Sequence, residues 1–126
     1  MGRRKQEGTG LMFPKRTAKR KRKRHPASLL HSREEKTCYL CMLLEESFVR
    51  HLYLEEHHIF FSGHQRSLSE EYGLKVYLCS RHHREGPEAV HGNQENRRLL
   101  EARGQQAFEE RYGRGEFLRV FGRNYL

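Results

Sequence analysis

Aspartate is absent from this chain: all sixteen acidic residues are glutamate. Any carboxylate chemistry must therefore use the longer side chain. Tryptophan is absent too, and cysteine occurs three times. An odd count excludes a closed disulfide framework, and a Cys-x2-Cys pair in a reducing compartment marks a metal more often than a bridge. No βαβ pattern surrounds Cys38, so a thioredoxin-type redox motif is excluded as well. Long apolar runs are missing: nothing approaches the ~18 residues of a membrane span, and the basic N-terminus lacks the apolar centre of a signal peptide. A soluble protein, retained where it is made, is expected. Only 35% of the 126 residues are hydrophobic and the mean hydropathy is -1.00, which leaves a core that is marginal by area alone.

Positive charge is abundant, and it is not spread evenly. Residues 1–26 hold 11 of the 25 Lys+Arg and one of the 16 acids, a net of +10; residues 27–126 carry 14 minus 15, or -1. Gly2, Gly8, Gly10 and Pro14 break any helix there, and the run Lys19, Arg20, Lys21, Arg22, Lys23, Arg24 repels itself. The chain thus divides into a disordered basic arm, 1–26, and one folded domain, 27–126. An arm of this kind suits a polyanion, contacting phosphates without reading sequence. The plainer readings are an import signal or a solvated tail.

Cysteine and histidine fall in a pattern. Cys38-Tyr-Leu-Cys41 and Cys79-Ser-Arg-His82 are two Cys-x2-ligand pairs, the commonest sequence form of a tetrahedral structural zinc. Such a site can add roughly 10 to 16 kcal/mol of apparent folding energy, enough to offset a small core. The 37 residues between Cys41 and Cys79 exceed the ~15 to 20 of ordinary ribbons, and the excess holds Glu56-His57-His58-Ile59-Phe60-Phe61. A zinc clip leaves His57, His58, His83 and His91 unused, which argues for a second metal centre. Adjacent residues face opposite sides of a strand and lie about 100° apart on a helix. One of His57 and His58 can therefore bind an ion while the other addresses the water beside it. Likewise His82 can turn to the cysteines and His83 to the strand, or the two can exchange roles.

The pattern predicts an α+β domain. Residues 53–61 read as a strand ending in buried Ile59-Phe60-Phe61, and 62–73 as a polar loop with one helical turn near its end. Residues 74–78 read as a second strand of period two. Ser80 is expected to cap a short helix carrying His82 and His83, ended by Gly86-Pro87. Asn93 is expected to cap a longer helix, weakened at Gly104 and ended near Gly113, with a last helical turn or two over 116–121. The C-terminal apolar residues are assigned to packing.

With these motifs in view, residues 38–91 resemble the HNH endonucleases, the ββα-metal nucleases. In zinc-bearing members a Cys-x2-Cys knuckle precedes an Asp-His or His-His pair at the end of the first strand. A second zinc pair follows, with a metal-binding His directly after its last ligand. Glu56-His57-His58-Ile59 and Cys79-Ser-Arg-His82-His83 match these parts. The basic leader, His-His-Ile-Phe and Val90-His91-Gly92 are similar to small phage and prophage proteins, including the RecA-dependent nuclease type.

The resemblance implies a zinc-stapled HNH domain with C-terminal helices, cleaving DNA phosphodiesters in the cytoplasm of a bacterial host. A recombinase filament or another phage DNA-processing protein would be its partner. It further implies structural zinc on Cys38, Cys41, Cys79 and His82, a catalytic divalent ion (Mg, Mn, Zn, Ni or Co) on His57 and His83 with His91 as a third ligand, and His58 as general base. An imidazole, with an ordinary pKa of about 6.5, is suited to accept a proton at neutral pH. The family's central Asn, which holds the loop that orients the base, has no counterpart in residues 72–77, so another group must hold the base here. The alternative class is a noncatalytic zinc module that binds nucleic acid or a phage assembly partner.

Overall fold

The computed structural model describes residues 26–126. The run from Lys19 to Arg24, and with it the proposed arm, lies outside the described residues. From Pro26 onward the chain is α+β. Two antiparallel strands, β1 (Glu55–His58) and β2 (Lys75–Leu78), are accompanied by five helices: α1 (Tyr39–Glu45), α2 (Gln65–Tyr72), α3 (Ser80–His83), α4 (Gln94–Tyr112) and α5 (Arg114–Phe121). The stretch after the first knuckle, to which sequence assigned no form, is thus largely helix α1.

Register sets the site. Glu55 pairs with Leu78, Glu56 with Tyr77, His57 with Val76 and His58 with Lys75. Alternation then sends Glu55 and His57 to one face of β1 and Glu56 and His58 to the other. The first strand is shorter than expected and stops at His58 rather than Phe61. The reason lies in Ser69 on α2. Its hydroxyl accepts from the Phe60 N–H at 3.0 Å and donates to the Phe60 carbonyl at 2.7 Å, taking the backbone groups that a partner strand would have used. Ile59 and Phe60 still enter the core, each 1% exposed, but from a bend.

The interval between the strands is also more ordered than a polar loop. It contains the eight-residue α2, which ends on Gly73 at φ 71°, where the Leu74 N–H donates to the Ser69 carbonyl at 2.8 Å. A Cβ at Gly73 would lie 2.4 Å from the Ala27 carbonyl oxygen. Glycine is needed there both for the left-handed conformation and for that close approach. Beyond it, β2 does not alternate: all four residues are buried, Lys75 included. Its open edge is covered by residues 28–31. The Ser28 hydroxyl donates to the Lys75 carbonyl, and the Tyr77 N–H donates to His31 Nδ1 at 3.2 Å, so the lead-in closes an edge that would otherwise be left unpaired.

Helix α3 starts one residue earlier than expected. Cys79, not Ser80, is its N-cap, and the N–H groups of His82 and His83 both donate to the Cys79 carbonyl at 3.0 and 2.9 Å. Asn93 caps α4 as expected, its Oδ1 accepting from the Asn96 N–H at 2.9 Å. Helix α5 packs Phe117 and Phe121 against Phe60, and Phe108 of α4 packs against those two rings, an aromatic cluster within the core.

Candidate metal centres

Two elements bring the cysteines together. Cys38 caps α1, its sulfur accepting from the Cys41 N–H at 3.4 Å, so both thiols sit on one short turn. Cys79 opens α3, and His82 follows one turn later on the same face. His82 Nδ1 then lies 3.4 Å from the sulfurs of Cys38 and Cys41 and 3.6 Å from that of Cys79, and the Cys41 and Cys79 sulfurs are 3.9 Å apart. A tetrahedral ion with ordinary Zn–S and Zn–N bond lengths needs edges of about 3.8 Å between sulfurs and about 3.6 Å from sulfur to nitrogen.

The four residues, all buried, can hold a metal such as zinc. Burial pushes the thiols of Cys38 and Cys41 up, and for Cys41 the neighbouring thiols add to it; a cation among them would reverse that balance. His82 Nε2 faces Glu88 Oε1 at 3.3 Å, the carboxylate–imidazole support usual behind a metal ligand. Arg81 reaches across the site to Cys41 Sγ at 3.6 Å and to Glu45 at 2.9 Å. With a divalent ion bound, three thiolates would leave a net negative charge, which this guanidinium, shared with Glu45 and Glu88, would partly offset. Of the two permutations left open by sequence, the geometry takes His82.

His83 turns away from the sulfurs, toward β1. It meets His57 and His91, and one ring nitrogen from each of the three makes a second group with all ligand atoms within 4.8 Å of one another. His57 arrives from β1 and His83 from α3. His91 arrives because the chain after Gly86 folds back along α3, with the Val90 N–H donating to the His82 carbonyl at 2.8 Å and the His91 N–H to that of His83 at 3.4 Å. The two Nε2 atoms of His83 and His91 are 3.1 Å apart, close to the ~3.3 Å edge between nitrogens on a tetrahedral ion.

Two further observations fit a cation here. His57 Nε2 is buried with no hydrogen-bond partner, an arrangement disfavoured for a polar atom unless something else fills its place. In addition, the Nδ1–H of His83 donates to Glu55; an ionised carboxylate can only accept, so the His83 lone pair is on Nε2, aimed into the cluster. Burial first, then His83, His91, His58 and Arg84, lowers the His57 pKa to about 3, keeping the imidazole in the neutral form that a metal requires.

His58 is not in this cluster. It is the last residue of β1, its ring is on the α2 side, and its Nε2–H donates to Glu70 Oε1 at 2.7 Å. Glu70 in turn pairs with Lys75 at 3.1 Å. His57 and His58 face opposite sides of the strand, as alternation leads one to expect. They do not converge on one pocket.

No family model, curated protein or solved structure matches this chain. What the two centres can do therefore rests on their own chemistry.

The carboxylates Glu55, Glu70 and Glu88 were not singled out from sequence, although each holds a candidate histidine. Glu55 carried a signal, its position two residues before His57 placing it on the same face of a strand. Glu70 and Glu88 carried none, because Glu70 meets His58 only through the pairing of the strands and Glu88 meets His82 only through the turn after Gly86. Among the arginines, Arg81 is committed to the sulfur site, Arg66 lines the cleft beside His58, and Arg84 stands near Glu55 at 3.8 Å beside the three-histidine cluster. His31, given no role by sequence, is an internal tie between β2 and Thr37.

Proposed function

We propose that the protein is a metal-dependent endonuclease of the HNH kind, hydrolysing DNA phosphodiester bonds with low sequence specificity in phage or prophage recombination or DNA processing. The observation that carries this reading is the three-histidine cluster, in which a buried, unpartnered Nε2 from β1 converges with imidazoles from α3 and the segment behind it. A divalent cation bound there would supply Lewis acidity to a nonbridging phosphate oxygen and to the departing 3′ oxygen.

The chain's own residues do the rest. His57, His83 and His91 would hold the ion, Glu55 keeps His83 in the required tautomer, and the Cys3His site ties α3 to the turn of α1, fixing the helix from which His83 reaches His57. His58 takes the proton of the attacking water. Because His58 and His57 lie on opposite faces at the end of β1, a phosphodiester touching both centres must straddle that end of the strand. Arg84 is placed to meet a phosphate on the cluster side, and the basic arm supplies affinity for the backbone.

A second reading, a noncatalytic zinc module that binds nucleic acid or a phage assembly partner, draws on one observation: His58 is turned from the cluster and held by Glu70. Plasmid and single-stranded DNA incubated with the full chain and Mg, Mn, Zn, Ni or Co, with and without a recombinase filament, separates the two. Nicking by the parent that falls by at least ~100-fold in both His83→Ala and His58→Ala is the expected result. DNA retained but uncut under every condition sinks the enzyme reading.

A further inference from the structure

The side of β1 away from the three-histidine cluster has a built arrangement of its own. His58 from β1, Glu70 from α2 and Lys75 from β2 form one chain of contacts: His58 Nε2 to Glu70 Oε1 at 2.7 Å, then Glu70 Oε2 to Lys75 Nζ at 3.1 Å. Lys75 also reaches Glu56 at 3.3 Å and is itself 4% exposed. Burial works against its charge, but Glu70 and Glu56 outweigh it and hold its pKa above the usual lysine value, so the ammonium stays in place as a fixed partner. His58, Glu70, Lys75, Arg66 and Ser67 line one open cleft of about 1540 Å³. The group thus faces space that a ligand can enter.

We propose that Glu70 is the positioning residue of His58, donated by the helix inserted between the strands, and that Lys75 anchors Glu70 in turn. This deepens the endonuclease reading and rests on its assignment of His58 as base. The chemistry follows from donor and acceptor counting. An ionised carboxylate accepts only, so the proton of neutral His58 is on Nε2 and the lone pair is on Nδ1, a single tautomer in a fixed orientation. Docking α2 onto the strand does not require this contact, because Ser69 already makes both backbone bonds to Phe60. Glu70 thereby does the work for which residues 72–77 offer no Asn.

Two measurements on the full, zinc-loaded chain test it. Side-chain nitrogen NMR of His58 reads the tautomer without any need for turnover: the parent should show the Nε2-protonated form alone, and Glu70→Gln a mixture. Steady-state cleavage should show kcat lowered by about 100-fold in Glu70→Gln with KM within a few-fold and zinc content unchanged, a smaller loss in Lys75→Met, and partial recovery in Glu70→Asp. A single Nε2-protonated tautomer that survives Glu70→Gln overturns the inference. So does a kcat for Glu70→Gln equal to that of the parent when His58→Ala is inactive. If His58→Ala cleaves like the parent, it is the assignment of the base that fails, while the tautomer measurement still decides whether Glu70 holds His58.

Discussion

His57 shows how much a single side chain depends on its surroundings. It is 3% exposed, and burial, reinforced by His83, His91, His58 and Arg84, sets its pKa at about 3 against an ordinary 6.5. Without an ion in the three-histidine cluster the sign is fixed. Below about pH 6.5 the unfolded chain takes up a proton that the folded protein refuses until about pH 3, so stability is present above that window and is lost as pH falls through it. Urea midpoints of the protein with its sulfur site loaded and its three-histidine cluster free of metal should drop between about pH 7 and about pH 4, and His57→Gln should flatten the drop; an equal slope in both proteins would refute the burial argument. At this scale the ligand types were legible, because thiols and imidazoles in Cys-x2-ligand spacing have few other uses. The carboxylates behind them were not, since Glu70 and Glu88 acquire meaning only from what folds against them.

Among the elements, α4 shows a residue whose local and tertiary effects oppose each other. Gly104 lowers intrinsic helix propensity by about 1 kcal/mol relative to alanine, and sequence marked it as a weak point. Yet α4 runs unbroken from Gln94 to Tyr112. A Cβ at Gly104 would meet Ile59 at 3.1 Å and Phe60 at 3.3 Å, so these buried side chains would have to shift by a few tenths of an ångström inside the packed core. The glycine lets α4 approach the bend after β1, which is the bend that ends the strand at His58. Gly104→Leu should therefore destabilise by about 1 to 3 kcal/mol, read as a lowered urea midpoint. It should also loosen His57 and His58, read as weaker metal uptake by the three-histidine cluster. The hydroxyl of Ser69 belongs to the same scale. Neither it nor Gly104 advertises a strand terminus, which explains why β1 was expected to reach Phe61.

At the scale of the whole molecule, the sulfur site joins the lead-in half of the chain to β2 and α3 across the long insertion. Chelating its metal, or Cys79→Ser, should release that clip and with it the fold, since a structural metal of this type contributes roughly 10 to 16 kcal/mol. Loss of far-ultraviolet ellipticity together with stoichiometric metal release is the expected outcome, and a folded metal-free protein would show that the phenylalanine core suffices alone. Among the described residues no helix is long and apolar enough to cross a membrane. Removing residues 1–26 takes away a net charge of +10 and should reduce the salt dependence of DNA binding by about 0.9 in log–log slope for each phosphate the arm contacts. Metal uptake should be unchanged, and an unaltered slope would remove the arm from the interface.

The three cysteines of the sulfur site, the surplus of histidines that calls for a second centre, the α+β alternation and the cap at Asn93 were all decided by the chain's own residues. Each rests on local spacing or on the chemistry of one side chain, and local order survives without knowledge of the fold. Tertiary structure alone decided that His82 and not His83 joins the cysteines, that β1 ends early, and that His58 is held by Glu70 away from the three-histidine cluster. Those outcomes depend on strand register and on the chain returning after Gly86, contacts between residues far apart in sequence, whose pairing no local pattern encodes.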